Sequence, residues 1–359
     1  MKIVFYINTL GGGGAERVVS ALAKSFSAAN EVIVVNSYAV DKEYELNDKV
    51  RHIYLEKNNT SRNFITRNIH RVSRLRYILK SEKPDVLISF MAEPNYRAIV
   101  ASIGLKNKTI ISVRNDPDKE YPGVLTGFLA KTLFRLADGI VFQTEDAKKW
   151  FPDSIQKKST IIYNQVDDVF FNTKFHGVRH DIVSTGRLTN QKNQKMLIRA
   201  FASVADKITE NLIIYGEGEL RSELESLIAK LHMTNRIFLP GRIENVAETI
   251  KSAKLFVLSS DYEGMPNSLM EAMVLGIPCI STNCPCGGSR KIFEGQKNGL
   301  LVPVNDVKTL AEKIIYLLKN KPVREKISDN ALKASKMFSS QVITDKWLSY
   351  INKIITMHH

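Results

Sequence analysis

Apolar and polar positions along this chain follow two different periods. Short unbroken apolar runs fall at residues 2–7, 31–36, 85–90, 109–113 and 139–142. Between them lie longer stretches at helical spacing, 15–28, 62–79, 95–103 and 124–136. Unbroken runs are what strands buried on both faces require, and strand–helix repetition specifies a parallel sheet covered on both sides. A last strand of this half ends near Ile162, and residues 163–180, polar and irregular, read as a linker. The repetition then resumes. Strands are expected at 181–185, 212–215, 237–239, 255–258, 277–281 and 299–302, with helices at 193–205, 219–231, 307–318 and 324–334. A final helix over 341–355 gathers Trp347, Leu348, Ile351, Ile354 and Ile355 on one side.

The pattern therefore predicts two doubly wound, parallel-sheet α/β units of Rossmann-like form in tandem. Their expected bounds are 1–168 and 169–340, followed by the terminal helical segment 341–359. A chain of 359 residues exceeds one ordinary core and suits two. Open α/β sheets take ligands at the carboxyl ends of their strands. Two such sheets facing each other place the expected site in a central cleft.

Composition narrows the setting. With 44% apolar and 25% charged residues the chain has the make-up of a globular protein. No stretch approaches the roughly 18 unbroken apolar residues of a membrane span. Residues 1–7 lead directly into glycines and read as a first strand, not a signal peptide. Cys279, Cys284 and Cys286 are odd in number and clustered, which points to a reducing cytoplasm without a disulfide framework. Cys284-Pro285-Cys286 has no second pair to complete a metal site.

Fifty-one Lys and Arg against thirty-seven Asp and Glu leave a net charge of +14, which speaks about partners and not fold. The anionic candidates are nucleic acid, a lipid surface and phosphorylated small molecules. Neither an aromatic single-strand platform nor a recognition-helix motif is present, so nucleic acid is not an expected partner. Much of the excess sits in one helical stretch carrying Arg62, Arg67, Arg71, Arg74, Arg76, Lys80 and Lys83, interleaved with Ile65, Ile69, Val72 and Leu79. Two readings stay open for this basic amphipathic helix. It is either a solvated face over a core-facing stripe or a face meeting anionic lipid at the inner surface of a membrane.

Three places carry chemistry. The first strand runs into Gly11-Gly12-Gly13-Gly14-Ala15-Glu16, where glycines let the backbone approach a ligand ahead of a helix N-terminus. This is neither the dinucleotide fingerprint nor a P-loop. The strand ending at Thr185 opens into Gly186-Arg187-Leu188-Thr189-Asn190-Gln191-Lys192, whose two cations suit one diphosphate. Further on, Asp261-Tyr262-Glu263-Gly264-Met265-Pro266-Asn267-Ser268-Leu269-Met270-Glu271 places Glu263 in a loop and Glu271 inside the helix that follows. Pro266 suits a helix start, and Asn267 or Ser268 is expected to cap it. The two carboxylates, roughly 10 Å apart, suit two ends of one ligand, with helix amides between them for phosphate.

Taken together these segments resemble glycosyltransferase family 4, the group 1 glycosyltransferases of GT-B fold. The resemblance rests on Gly13-Gly14-Ala15-Glu16, Gly186-Arg187-Leu188 with Lys192, Tyr215-Gly216-Glu217-Gly218-Glu219-Leu220 and Pro240-Gly241-Arg242. It rests also on Glu263 with Glu271 and on Asn298-Gly299-Leu300-Leu301-Val302-Pro303. It implies two facing Rossmann-like domains and a nucleotide-sugar donor, UDP-linked by preference. Glu263 would contact the donor sugar and Glu271 the ribose. Arg187 and Lys192 would hold the diphosphate, so that neither a metal nor another cofactor is required. Gly13 and Gly14 would approach the donor from the first domain, while Gly216, Arg242 and Ile243 would lie near the base. Gly264 and the amides of Asn267 and Ser268 would complete the phosphate grip, and the last helix would return to the first domain.

One segment departs from the family pattern. Many relatives have a histidine after the fifth strand, where this chain has Val113-Arg114-Asn115-Asp116-Pro117-Asp118. That looks like a variant of polysaccharide-assembly members, and it makes Arg114, Asn115 and Asp116 the acceptor-side candidates. Asp116-Pro117-Asp118 also spells the D-x-D of metal-dependent transferases, a role that Arg187 and Lys192 leave unneeded. The expected function is sugar transfer, with retention, to a glycan or polyprenyl-diphosphate-linked glycan in bacterial surface polysaccharide assembly, peripheral to the inner membrane face. The alternatives are a sugar-nucleotide epimerase of the same fold, or a non-catalytic basic protein of a membrane surface or nucleic acid.

Overall fold

The computed structural model of the chain describes residues 1–56 and 63–356; Arg62, His358 and His359 lie outside the described residues. The chain divides into two compact units, Met1–Gln165 together with the segment from Ser340, and Val166–Ser339.

Unit 1 holds β1 (Lys2–Ile7), β2 (Glu31–Tyr38), β3 (Val50–Glu56), β4 (Val86–Phe90), β5 (Lys108–Ser112), β6 (Gly139–Phe142) and β7 (Ser159–Ile161). Every pairing is parallel, in the order β3-β2-β1-β4-β5-β6-β7. Its helices are α1 (Gly14–Phe26), α2 (Phe64–Glu82), α3 (Ala92–Ser102), α4 (Pro117–Glu120), α5 (Gly123–Leu133), α6 (Glu145–Lys149) and α7 (Asp153–Gln156).

Unit 2 opens with α8 (Asp168–Asn172), then carries β8 (His180–Thr185), α9 (Gln194–Ala202), β9 (Leu212–Tyr215), α10 (Arg221–Lys230), β10 (Ile237–Gly241), α11 (Val246–Ile250) and β11 (Ala253–Leu258). It continues through α12 (Asn267–Val274), β12 (Cys279–Thr282), α13 (Gly288–Ile292), β13 (Leu300–Val302), α14 (Val307–Lys319) and α15 (Lys321–Ser335). Its strands are parallel in the order β10-β9-β8-β11-β12-β13. The last helix, α16 (Ser340–Thr356), belongs to unit 1.

Strand pleating explains the layers of unit 1. Side chains alternate across β1, so Ile3, Phe5 and Ile7 pack with Val18, Leu22 and Phe26 of α1, while Val4 and Tyr6 pack with Leu75, Ile78 and Leu79 of α2. Helix α16 joins the first of these layers through Ile343, Trp347, Ile351 and Ile354. Tyr350 anchors it to the sheet, its hydroxyl accepting from the Ile140 amide (2.8 Å) and donating to the Lys158 carbonyl (2.6 Å). In unit 2, Leu197 and Phe201 of α9 with Leu310, Ile314 and Leu317 of α14 cover one face of the sheet.

Three expectations from the sequence are corrected. The strand β3 was not expected; it occupies the sheet edge, where only Val50, Leu55 and Glu56 are buried, so no unbroken apolar run marks it. The stretch expected as linker contains α8, whose first turn Asp167 caps and whose Phe170 is buried. The third concerns α2. Ile65 and Ile69, which one of the two open readings placed on a core-facing stripe, are exposed at 68% and 62%, while Arg71 is 98% covered. Arg71 turns inward because Glu56 at the end of β3 accepts from its Nε (3.2 Å) and Nη2 (3.0 Å), and its guanidinium lies 5.1 Å from the Tyr38 ring. A charged pair held this way takes a place that apolar periodicity assigns to a hydrophobe.

Candidate active site

The donor residues predicted in unit 2 lie around the carboxyl end of its sheet, while Gly13 and Gly14 belong to unit 1. Strand β8 ends at Thr185 and the chain turns through Gly186 and Arg187 before Asn193 caps α9. Asn193 adopts φ +44°, which asparagine tolerates, and its side chain accepts from the Met196 amide at 3.2 Å. The turn is stitched to the neighbouring strand ends. The Gly186 amide donates to Tyr215 O (3.0 Å), that of Leu188 to Glu217 O (2.9 Å) and that of Gly216 to Gly241 O (2.8 Å). A Cβ on Gly216 would lie 1.9 Å from Gly186 O, so only glycine lets these two backbones approach so closely. Gly186 leaves room of the same kind for Lys192, whose Cε would sit 3.2 Å from a Cβ there.

Lys192 does not sit free beside Arg187, as two cations sharing one anion would suggest. Its Nζ lies 2.5 Å from Oε1 of Glu263, and the Ser260 hydroxyl donates to the same oxygen at 2.7 Å. Glu263 is buried and Lys192 half-buried. The loop after β11 brings them together. Asp261 N donates to Gln191 O (2.8 Å), Gln191 Nε2 to Tyr262 O (3.1 Å), Asn193 Nδ2 to Asp261 Oδ1 (2.7 Å) and Ser259 Oγ to Lys192 O (2.9 Å). Thr282 at the end of β12 holds the Ser260 carbonyl at 2.5 Å from below. Cys284 donates to that carbonyl too, and burial pushes its thiol up to about 11, which makes it an inert filler and not a nucleophile.

Arg187 is exposed, and its guanidinium makes no hydrogen bond or ion pair among the described residues; only its carbonyl is held, by Gln194 at 2.8 Å. A fixed backbone with an uncommitted guanidinium is suited to an incoming anion. Helix α12 starts at Asn267 with Pro266 as its cap residue, and no side chain caps it. Pro266 thus takes the cap position ahead of Asn267 and Ser268, which form the first turn of the helix. The Leu269 amide is the first to bond back, to Pro266 O at 3.2 Å. Glu271 is buried inside α12, and Gly264 is buried with its carbonyl against Gly288. Arg242 is exposed just past β10, with Ile243 half-buried beside it.

Unit 1 disposes its candidates differently. Helix α1 starts at Gly14 with Gly13 as cap residue, and the Glu16 carboxylate folds over Gly13, 2.0 Å from where a Cβ would be. A helix N-terminus favours such an anion, so this turn carries its own. Arg114 follows β5. Its guanidinium lies 4.7 Å from the Phe90 ring and 5.6 Å from Trp347, and its Nη1 donates to Asn164 Oδ1 at 2.8 Å. Burial lowers its pKa to about 9, which leaves it charged at neutral pH. Its Nε and Nη2 are buried without a partner among the described residues. Asn115 is half-buried. Asp116 is buried and caps α4 by accepting from Asp118 N (3.1 Å), while Asp118 accepts from Trp150 Nε1 (2.6 Å). Both acids of the D-x-D are therefore engaged in local structure. Among the described residues no cluster of three His, Cys, Asp or Glu is placed to hold a metal.

Two functional candidates were not read from the sequence. Ser260 follows β11 as one of two serines, and nothing in its spacing marks it. Glu120 ends α4, where burial pushes its carboxyl up to about 7 against the backbone amides of Asn115, Ala92 and Arg114. The only signal was an acid four residues beyond Asp116.

Two parallel-sheet Rossmann-like units, the second with a lysine–carboxylate pair, an uncommitted arginine and a helix N-terminus at its carboxyl edge, make a two-unit α/β protein whose second unit offers groups suited to an anionic ligand. Comparison with known proteins fixes the family. The pattern of "Glycosyl transferases group 1" matches residues 166–334, and that of "Glycosyltransferase Family 4" matches residues 12–170. The chain belongs to glycosyltransferase family 4. It is 30% identical over 361 residues, 99% of each chain, to the GalNAc-alpha-(1->4)-GalNAc-alpha-(1->3)-diNAcBac-PP-undecaprenol alpha-1,4-N-acetyl-D-galactosaminyltransferase of Campylobacter jejuni. A second C. jejuni relative, an N-acetylgalactosamine-N,N'-diacetylbacillosaminyl-diphospho-undecaprenol 4-alpha-N-acetylgalactosaminyltransferase, is 29% identical, covering 98% of this chain and 99% of that one. Among solved structures, HepE of Anabaena in complex with UDP superposes with a TM-score of 0.81 at 18% identity, over 98% of this chain and 100% of that one. That likeness establishes the GT-B fold. The protein is a glycosyltransferase.

Proposed function

We propose that the protein transfers a sugar from a UDP-sugar to a hydroxyl of a polyprenyl-diphosphate-linked glycan, with retention at the anomeric carbon and without a metal, in bacterial surface glycan assembly. The Lys192–Glu263–Ser260 constellation beside exposed Arg187 carries this reading. The names of the two C. jejuni relatives, each of which acts on an undecaprenyl-diphosphate-linked glycan, support the acceptor class. The UDP bound to HepE supports the donor base.

The leaving nucleoside diphosphate gathers negative charge as the glycosidic bond breaks. Arg187 and the first amides of α12 meet that charge, with Lys192 placed beside them by Glu263, which lowers the barrier. Glu263 orients the donor sugar through its hydroxyls, and Glu271 binds the ribose. Gly216, Gly264, Arg242 and Ile243 complete the nucleotide's surroundings. Arg114, Asn115 and Asp116 serve the acceptor. Two donors already hold Oε1 of Glu263, which weakens it as a nucleophile. That supports attack on the same face as the leaving group, the departing diphosphate taking the acceptor's proton. The exposed Arg74 and Lys80 of α2, with exposed Lys83 just past its end, support action at an anionic membrane surface from the cytoplasmic side. Among the described residues no helix is long and apolar enough to cross a membrane.

A thermal-shift screen with UDP, GDP, ADP and TDP, with and without magnesium, tests the reading. UDP alone should stabilise the wild type, equally in EDTA, and Arg187→Ala should abolish the shift. Stabilisation by none of the four overturns it.

A further inference from the structure

Helix α5 is built inside out. Its inward positions are Gly127 and Ala130, continued by Phe134, while its outward face carries the large apolar side chains. Val124, Leu125, Phe128 and Leu129 are exposed at 92%, 71%, 65% and 41%, and Leu136 one turn further at 60%. At 100° per residue, 125, 128, 129 and 132 point the same way, opposite 127 and 130. Small residues inside let the helix lie close to the protein, a Cβ on Gly127 being 3.4 Å from the Trp150 ring. Ordinary surface helices show the reverse pattern, and contiguous exposed apolar side chains mark a docking surface.

The surroundings say what docks. Between Tyr121 and Thr144 the only acid is Asp138, which is engaged by Lys108 (3.4 Å) and by the Thr109 amide (2.7 Å). Cations border the apolar stripe, together with Asp118, which accepts from Trp150 Nε1 (2.6 Å). Lys131 has its Nζ 3.9 Å from the Trp150 ring centre, Arg135 is exposed, and Lys158 donates to Arg135 O at 2.6 Å. Helix α3 links α5 to α2, its Tyr96 Oη donating to Thr126 O of α5 (3.4 Å) and its Arg97 Nε to Asn68 Oδ1 of α2 (2.6 Å). On that far side Phe64, Ile65 and Ile69 are exposed as well. An apolar stripe rimmed by cations complements an acyl-chain boundary beneath anionic headgroups. A second copy of this chain, itself at +14, would set like charge against like. The 11 residues of α5 span about 16 Å, far short of a roughly 30 Å hydrocarbon core, so the helix lies in the interface.

We propose that α5 is an interfacial anchor that seats Val124, Leu125, Phe128 and Leu129 in the headgroup–acyl boundary of an anionic bilayer, with the first turns of α2 beside it. This rests on the reading that the acceptor is lipid-linked, and it assigns the apolar part of membrane attachment to α5 where charge alone would assign all of it to α2.

The test is vesicle co-sedimentation of the full chain with phosphatidylcholine vesicles containing one-third phosphatidylglycerol. It uses the wild type, Leu125→Ser/Phe128→Ser and Arg74→Glu/Lys80→Glu, at low and high salt. Both apolar side chains are exposed, so the first variant should keep the wild-type Tm and the wild-type response to UDP, yet partition at least tenfold less at either salt. The α2 variant should lose only the salt-sensitive part. Wild-type partitioning of Leu125→Ser/Phe128→Ser overturns the proposal, as does an absence of wild-type binding to these vesicles. So does a concentration-dependent dimer by light scattering that this variant abolishes. A missing UDP response in every form, with the partitioning intact, counts against the donor reading instead.

Discussion

Removing the Lys192 ammonium tests the donor site in two independent ways. Lys192→Met keeps the aliphatic stem and leaves the Glu263 carboxylate with the Ser260 hydroxyl as its remaining partner at Oε1. The two side chains are 17% and 10% exposed, so the pair is neither a solvated surface bridge nor fully dry. Stranding one charge of a buried pair costs roughly 3–5 kcal/mol. Partial solvent access and the retained serine bond bring this to about 2 kcal/mol, a Tm lower by about 4–8 °C for a unit of this size. Glu263→Gln should cost a similar amount by stranding the lysine, and the double variant should cost little more than either single one. The coupling energy in a double-mutant cycle is then about 2 kcal/mol. With a UDP-sugar, Lys192→Met should lower kcat about 100-fold, as loss of one preorganised group facing the leaving diphosphate does. Additive stabilities within about 0.5 kcal/mol, or an unchanged kcat, would refute the reasoning.

Other perturbations follow from the same geometry. Glu120 has a folded pKa of about 7 against an ordinary 4.5, so it binds its proton more tightly folded than unfolded. Stability of unit 1 should therefore fall as pH rises from about 4.5 to 7, by about 3 kcal/mol, and be flat above that. Glu120→Gln should remove this slope, read by Tm against pH. Gly216→Ala drives a Cβ to 1.9 Å from Gly186 O, backbone that cannot swing aside, and should cost unit 2 about 3 kcal/mol together with the UDP response in calorimetry. Tyr350→Phe leaves the Ile140 amide and the Lys158 carbonyl without their shared hydroxyl, which should lower the Tm of unit 1 by the equivalent of about 2 kcal/mol.

How much of this was legible in the sequence depended on how local the determining interaction is. Residues 2–7, 139–142 and 212–215 read as strands with the observed bounds, because each is a short run that is apolar but for Lys2. Edge strand β3 shows no such run, and Arg71 reverses the apparent stripe of α2 only because Glu56 arrives from another element. The inward Gly127 and Ala130 of α5 look like ordinary helix residues until their direction is known. The donor loops were marked by glycines and charges at strand ends. What spacing could not convey is that Lys192 reaches Glu263, 71 positions away, and not Arg187, five positions away on its own turn. Ser260 and Glu120 acquire their roles from burial and from partners distant in sequence.

The central claim is that the carboxyl edge of the second sheet handles a nucleotide-sugar and that Lys192 and Glu263 act in its turnover. It is tested most directly by incubating the purified protein with single nucleotide-sugars, EDTA and a polyprenyl-diphosphate-linked glycan. Nucleoside diphosphate release and acceptor mass are then followed together. The account predicts that a UDP-sugar is consumed, that the acceptor gains the mass of one sugar per UDP released, and that Lys192→Met and Glu263→Gln are both slowed about 100-fold. Release from no donor, or release at wild-type rates by both variants, would contradict it.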